Sequence, residues 1–284
     1  MSGQSALRKV EKVIEPVRMT DGAGVKLRRC IGTQALDYLD PFLQFDHFGS
    51  HSPEEYQRGF PMHPHRGLET ITYVLAGKVK HKDSLGKKEE IIAGDVQWMT
   101  AGRGVVHEEM PQGIGNHMEA FQLWVNLPAS LKMSPPRYQE IKDARIPWMN
   151  PMKGVTVRLI AGQIGGVTGP GVGAAGSLLL MDVTVDCDHV FDYSLSSDLT
   201  AFAYVFKGSG EYCGTLIEPA RLVVFGEGDC ISIKGGLHRT RFLLAAGKPL
   251  KEPVARFGPL VMNSNAEIEQ ALREIRNQTF PNGR

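Results

Sequence analysis

Two short runs of the sequence carry side chains that commonly bind transition metals. The first run is His63-Pro64-His65 and the second is His107-Glu108-Glu109. In each run the outer residues lie two positions apart, and in an extended strand such residues point to the same face. Each run therefore predicts two donors on one side of a sheet. A sheet folded so that the two runs meet would bring three imidazoles and one carboxylate together.

This donor set indicates which ions the site would hold and what chemistry it would support. Three nitrogens, one oxygen and no thiolate suit Fe(II), Mn(II), Ni(II) or Zn(II). A zinc ion with four protein ligands would be closed and structural, whereas an octahedral ion would keep positions for water or a substrate. An open site with mixed ligands favours Fe(II), one ion per chain. Spacing alone leaves manganese, nickel and zinc open.

The identity of the carboxylate donor is also open from spacing alone. Glu69 follows His65 closely, and Glu109 lies two residues after His107. Either carboxylate could complete a set with three imidazoles. The first run by itself could be a turn with surface histidines, so metal binding is the better interpretation only because the second run is present.

Both runs lie within longer segments that resemble the pirin family of the cupin superfamily. The resemblance covers most of the chain. It implies two cupin β-barrels in tandem, with a non-haem iron in the first barrel held by His63, His65, His107 and Glu109. Glu69 is then expected beside the site or as a partner of Arg66. The segments that carry the resemblance are GFPMHPHRGLET (59–70), QWMTAGRGVVHEEMP (97–111), QLWVNLP (122–128) and FGPLVMNSN (257–265).

The resemblance implies two classes of function. The first is an enzyme of the quercetin 2,3-dioxygenase type, which cleaves flavonols with O₂ and releases carbon monoxide. There Glu109 would act as the base that takes the proton of a flavonol hydroxyl. The second is a metal- or redox-dependent regulator that binds a transcriptional or metabolic-enzyme protein partner; oxygen uptake with a flavonol discriminates between the two classes. Four side chains near the motifs are expected either to wall a substrate pocket or to belong to the barrel core: Met62, Trp98, Met99 and Phe121.

Length and composition restrict the class of protein. The 284 residues can form two domains with their own cores, and 32 glycines with 17 prolines favour a turn-rich β protein. A net charge of +1 gives no signal of nucleic-acid binding. The four cysteines lack disulfide or metal spacing. Without a signal peptide or a membrane helix in the sequence, we expect a cytoplasmic protein, or in a eukaryote also a nuclear one.

Strand patterns separated by turn residues run through both halves of the chain. The second half repeats this pattern of strands and turns but lacks the two ligand runs, so it is expected to bind no metal. We therefore predict an all-β protein of two tandem cupin (double-stranded β-helix) barrels, residues 1–145 with the metal site and residues 146–284 without one. The Pro-rich segment 134–151 is expected to be the irregular crossing, and Asn263-Ser264-Asn265 to cap a short C-terminal helix.

Other candidate ligands and motifs receive less specific interpretations. His47 and His51 lie among charged residues and are expected on the surface or beside the site. His81 lies in a Lys-rich run and is expected to be exposed to solvent. The nominal GxGxxG at residues 171–176 precedes a strand pattern where a dinucleotide site would need a helix, so we reject dinucleotide binding.

Overall fold

The computed structural model describes residues 6–176 and 178–281, and most of these residues lie in β-strands. The strands of the first half are β1 Val10–Ile14, β2 Val17–Asp21, β3 Val25–Ile31, β4 Phe42–Ser50, β5 Phe60–His65, β6 Leu68–Ala76, β7 Lys78–Asp83, β8 Lys88–Ile92, β9 Val96–Thr100, β10 Val105–Gln112, β11 Met118–Asn126 and β12 Arg137–Ile141. The remaining strands and the α-helix are β13 Trp148–Met152, β14 Val155–Ala161, β15 Gln163–Ile164, β16 Val167–Thr168, β17 Leu178–Val185, β18 Val190–Ser194, β19 Thr200–Lys207, β20 Gly210–Tyr212, β21 Thr215–Ile217, β22 Arg221–Phe225, β23 Cys230–Gly235, β24 Thr240–Gly247, β25 Ala255–Phe257, β26 Leu260–Met262 and α1 Asn265–Arg276. Three single 3₁₀ turns lie at Pro53–Glu55, Ala129–Leu131 and Asp143–Arg145.

The described residues fold into two compact units. The N-terminal unit comprises residues 17–143, 173–175 and 250–281, and the C-terminal unit comprises residues 6–16, 144–172 and 176–249. Each unit has one seven-stranded and one four-stranded antiparallel sheet. In the N-terminal unit the orders are β12-β9-β6-β11-β4-β3-β2 and β5-β10-β7-β8, and in the C-terminal unit they are β1-β22-β19-β24-β17-β14-β13 and β18-β23-β20-β21. The predicted all-β class, with two barrels and a short C-terminal helix, is confirmed.

Each end of the described chain belongs to the unit formed mainly by the other half of the sequence. The predicted domain boundary at residue 145 stays a prediction. Strand β1 pairs with β22, so the start of the chain belongs to the C-terminal unit. Helix α1 belongs to the N-terminal unit, where Glu274 forms an ion pair with buried Arg66. Arg66 also forms a parallel bridge to Leu260. The end of the chain therefore packs against the residue that directly follows the His63-Pro64-His65 run.

The prediction that the Pro-rich segment 134–151 is irregular was wrong in part: residues 134–136 and 142–147 lie outside the strands, but residues 137–141 and 148–151 do not. It contains the strands β12 and β13, each at the edge of a seven-stranded sheet. Proline lacks the N–H that a central strand must donate, but an edge strand has one side free of ladder hydrogen bonds. Of the four prolines in this segment, Pro151 alone lies in a strand, the edge strand β13, whereas Pro135, Pro136 and Pro147 lie outside the strands.

The four-stranded sheets of the two units differ in the side chains they present inward. In the C-terminal unit the buried residues of this sheet are Phe191, Tyr212, Ile217, Ile231 and Ile233, which belong to one apolar core cluster. In the N-terminal unit the corresponding sheet buries histidines and carboxylates. Apolar packing thus fills one barrel, while polar side chains line part of the other.

The α-helix begins where the sequence predicts it. Ser264 is the N-cap residue and accepts a hydrogen bond from the backbone N–H of Glu267. The Glu267 carboxylate accepts in return from the N–H of Asn263, which satisfies a second backbone donor. No helix among the described residues is both long and apolar enough to cross a membrane.

Candidate metal centre

Strand register brings the two histidine runs together. Strands β5 and β10 are antiparallel neighbours in the four-stranded sheet, and His107 lies directly opposite His63. Directly opposed residues on one face of an antiparallel pair have Cβ atoms about 4.5–5.5 Å apart. His65 lies two residues from His63 and shares its face. The pairing therefore places three imidazoles at one point inside the barrel.

The three imidazoles converge through their Nε2 atoms. Nε2 of His63 lies 3.0 Å from Nε2 of His65 and 3.0 Å from Nε2 of His107. All three donor atoms lie within 4.8 Å of one another, and among the described residues this is the only group of three or more such donors. Nitrogens about 2.1 Å from one ion subtend about 90° when they lie 3.0 Å apart, which suits an octahedral ion better than a tetrahedral one. The histidines thus fit a first-row divalent metal ion.

The environment keeps these histidines in the form that binds metal. His63 donates from Nδ1 to the carbonyl of Pro61 at 2.8 Å, which leaves the lone pair on Nε2. Burial, together with unfavourable electrostatic interactions with the nearby His63 and Arg256, holds the pKa of His65 well below its usual range. Burial and the nearby His65 and His63 do the same to the pKa of His107. Neutral imidazole is the ligand form, so little proton release is needed at these two sites.

Glu109 lies beside the histidine cluster but is not part of it. The ladder between β10 and β5 is irregular between His107 and Glu109, so Glu109 pairs with Phe60 and not with a residue of the first run. Its carboxylate accepts from Thr72 Oγ1 at 3.2 Å and from Gln122 Nε2 at 2.9 Å. Glu109 and His63 line the same cavity. The ligand role of Glu109 stays a prediction.

Glu69 has different partners from those expected. Its carboxylate accepts from Thr100 Oγ1 at 2.6 Å and from the N–H of Ala174 at 3.1 Å. Arg66, the expected partner, pairs instead with Glu274 and donates to the carbonyl of Arg103. Glu69 is buried, and this burial raises the pKa of its carboxyl. Of the two alternatives for Glu69, the pairing with Arg66 was therefore wrong, and a position beside the site stays a prediction.

Of the three other histidines discussed above, His81 is buried, contrary to expectation, and His47 is buried as well. His47 donates from Nε2 to the carboxylate of Glu119 at 2.9 Å and packs against Phe121. His51 is exposed and stacks on His117. His81 is buried with its ring centroid 5.0 Å from that of His107. The sequence predicted an exposed His81 because the neighbouring lysines are polar.

A cavity of about 280 Å³ opens beside His63 and Glu109. None of the four predicted wall residues lines it: Trp98, Met99 and Phe121 are buried in the core, and Met62 is largely exposed. The walls come instead from strands β2 to β5 and β11 and from the segment before β26. They include Asp21, Arg29, Gln44, Asp46, Phe60, Gln122, Trp124, Arg256 and Pro259.

One wall of this cavity is charged but internally paired. Arg29 donates to both oxygens of Asp46, at 2.7 and 2.8 Å, and also to Asp21 at 2.7 Å. Arg256 donates to Gln44 at 2.6 Å, and its guanidinium lies over the ring of Trp124. The cavity therefore has aromatic surfaces next to a fixed polar wall.

The buried histidines predict that the metal-free protein loses stability in acid. Burial lowers the pKa of His47, His65, His81 and His107 in the fold. As the pH falls below about 6.5, the unfolded chain binds protons that the folded chain does not, so the free energy of unfolding falls by up to about 1.4 kcal/mol per pH unit for each group. Urea denaturation of the metal-free protein at pH 7.5 and 5.5 should show a lower midpoint at 5.5. The midpoint should change less with pH in His47→Phe, which loses one titrating group. An equal change in both proteins would contradict the lowered pKa of His47.

Comparisons with known proteins identify the family of this chain. The Pirin family model matches residues 24–125, and the model of the Pirin C-terminal cupin domain matches residues 180–281. A pirin-like protein of Caulobacter vibrioides is 40% identical over 275 residues, covering 96% of this chain and 99% of that protein. Pirin of Homo sapiens is 41% identical over 278 residues, covering 95% and 93%.

A crystal structure described as quercetin 2,3-dioxygenase from Acinetobacter baumannii is similar along nearly its whole length. It has a TM-score of 0.89 and 32% sequence identity, and the match covers 97% of this chain and 99% of that chain. Family models match both halves of the sequence, and the relatives match it almost end to end. The chain belongs to the pirin family.

Proposed function

We propose that the protein is a metal-dependent oxygenase of the quercetin 2,3-dioxygenase type, which cleaves a flavonol-like substrate with O₂. The observation that carries this proposal is the opening of the three-histidine cluster, at His63, onto a cavity that also holds a carboxylate, Glu109. The similarity to the Acinetobacter baumannii quercetin 2,3-dioxygenase supports the same activity. Fe(II) is the proposed ion.

The proposed ligands are His63, His65, His107 and Glu109. A bound iron ion would supply Lewis acidity toward a substrate oxygen and the electron transfer that O₂ chemistry requires. Three neutral imidazoles and one carboxylate compensate only part of the charge of a divalent ion, so an anionic substrate oxygen is favoured at the open side. The cavity beside His63 provides that side.

Glu109 is proposed to take the proton of the flavonol hydroxyl. Gln122 donates to one of its oxygens at 2.9 Å and Thr72 to the other at 3.2 Å. Gln122 itself accepts at Oε1 from the indole N–H of Trp124 at 2.9 Å, which fixes the orientation of the amide. These contacts hold the carboxylate toward the cavity. A base must lie within hydrogen-bond reach of the proton it removes, and this orientation favours that approach.

The cavity walls suit a planar aromatic substrate. Phe60 and Trp124 offer aromatic surface, and the paired Arg29 and Asp46 offer fixed donors and acceptors for hydroxyl groups. Specific ligand sites commonly combine apolar walls with a few placed polar groups. A polyhydroxylated flavonol matches both kinds of wall.

The test is oxygen consumption by the iron-loaded protein with quercetin. We expect uptake of O₂ with release of one carbon monoxide for each O₂ consumed, since ring cleavage incorporates both oxygen atoms into the organic product. Free iron at the same concentration is the control, because flavonols also oxidise in solution. Uptake no faster than this control, or uptake without carbon monoxide, would contradict the proposed activity.

A further inference from the structure

Strand β7 places a polar side chain directly opposite each donor of β10. Asp83 is the cross-strand neighbour of His107, and His81 is the cross-strand neighbour of Glu109. Both β7 side chains are fully buried. The alternation of β7 leaves Lys80 and Lys82 on the exposed face, so His81 and Asp83 point into the barrel. The candidate metal ligands therefore have a second layer of ionisable groups behind them.

Several polar atoms of this layer make no direct hydrogen bond of normal distance and angle to another described residue. They are Nδ1 of His107, both ring nitrogens of His81, Oδ2 of Asp83 and the hydroxyl of Tyr138. The groups are close to one another: the His81 ring centroid lies 5.0 Å from that of His107 and 5.3 Å from that of Tyr138. Buried polar groups are nearly always hydrogen-bonded, and unsatisfied ones are costly. Such a concentration therefore indicates bridging by ordered water.

Asp83 is held so that one oxygen faces this cluster. Its Oδ1 accepts from the backbone N–H groups of Leu85 and Lys87, both at 2.9 Å, in the turn between β7 and β8. Its Oδ2 lies 3.8 Å from Nε2 of His81, which is beyond direct hydrogen-bond distance and suits a shared water. The turn therefore fixes the carboxylate and leaves an acceptor directed inward.

We propose that Asp83, together with His81 and Tyr138, positions His107 as a metal ligand through ordered water that accepts the Nδ1 proton of His107. A metal-binding histidine usually donates its other ring N–H to a carboxylate, carbonyl or water, which fixes the tautomer and strengthens the ligand. Nε2 of His107 faces the other imidazoles, so Nδ1 is the atom that needs this acceptor. Asp83 supplies a negative charge that favours this hydrogen bond, and the hydroxyl of Tyr138 is a further polar neighbour in the cluster. The inference rests on the metal binding of the proposed function.

The test is the affinity of the full-length protein for Co(II), together with the visible d–d absorption of the cobalt form. Asp83→Asn keeps an oxygen for the turn amides but removes the inward negative charge. We expect its dissociation constant for Co(II) to rise about 10–100-fold and its d–d bands to shift. Tyr138→Phe keeps the ring against His81 and loses only the hydroxyl, so a smaller, several-fold loss of affinity is expected. Circular dichroism checks the fold of both variants.

Asp95→Asn is the matched control. Asp95 is also a buried carboxylate in a turn of the same unit, bonded to the backbone N–H of Asp143 and to Lys142. Its loss should lower the denaturation midpoint and leave the Co(II) affinity and bands unchanged. Folded Asp83→Asn and Tyr138→Phe with the parent's affinity and bands would overturn the inference alone. If Asp83→Asn did not fold, the Co(II) affinity of Tyr138→Phe alone would test the inference, and an affinity equal to that of the parent would overturn it. A parent protein that bound no Co(II) would overturn the proposed function and this inference with it.

Discussion

The parent chain is expected to bind one transition-metal ion, and a chain carrying His63→Ala and His65→Ala is expected to bind none. Both substitutions remove Nε2 atoms from a group in which the three donors lie within 4.8 Å of one another. A single remaining imidazole, with or without one carboxylate, holds a divalent ion far more weakly than a convergent set. Elemental analysis of protein purified without chelator measures the loss directly, and should give about one ion per parent chain.

The control for this pair is His51→Ala with His117→Ala. These two histidines lie in the same unit and stack on each other outside the cluster, so the control removes two imidazoles but none of the three converging donors. It should keep the parent's metal content. Two tightly held ions in the parent, or one ion that survives loss of His63 and His65, would disprove a single site built on these residues.

Sequence periodicity predicted the donor pair within each run, because that information is local, whereas the meeting of the two runs was implied by the family resemblance. Residues two apart in a strand share a face, so each run defines its own pair of donors without knowledge of the rest of the fold. The same rule applied to β7 would have found His81, since Val79, His81 and Asp83 alternate with three lysines and Val79 marks the buried face. The Lys-rich composition of the run concealed this alternation.

The cavity walls depend on information that no local pattern carries. Arg256 and Pro259 come from the end of the chain, more than 140 residues after Glu109 in the sequence, and reach the site because α1 and β26 pack on the N-terminal unit. The position of Glu109 outside the histidine group follows from an irregularity in the ladder between β5 and β10. Periodicity assigns faces to strands, but register and long-range packing decide which side chains meet.

Glu109→Gln is expected to lower flavonol oxygenation by more than its loss of metal explains. The substitution keeps the size of the side chain and one oxygen, but removes the negative charge and the ability to take a proton. Gln122 and Thr72 donate to the two carboxylate oxygens, so the variant amide would also face a donor with its own NH₂ group. The three histidines should still hold iron, more loosely than before. General-base contributions are about 10²–10⁴-fold, and a loss of that size per bound iron is expected.

Glu69→Gln is the matched comparison, because Glu69 is a buried carboxylate of the same unit that lies outside the histidine group. Its partners are Thr100 and the N–H of Ala174, and neither lines the cavity beside His63. Its replacement should therefore reduce stability more than activity per bound iron. Iron content and flavonol-dependent oxygen uptake are measured on both variants side by side. Loss of iron in Glu69→Gln, with Glu109→Gln fully loaded and active, would make Glu69 the carboxylate ligand and remove Glu109 from both of its proposed roles.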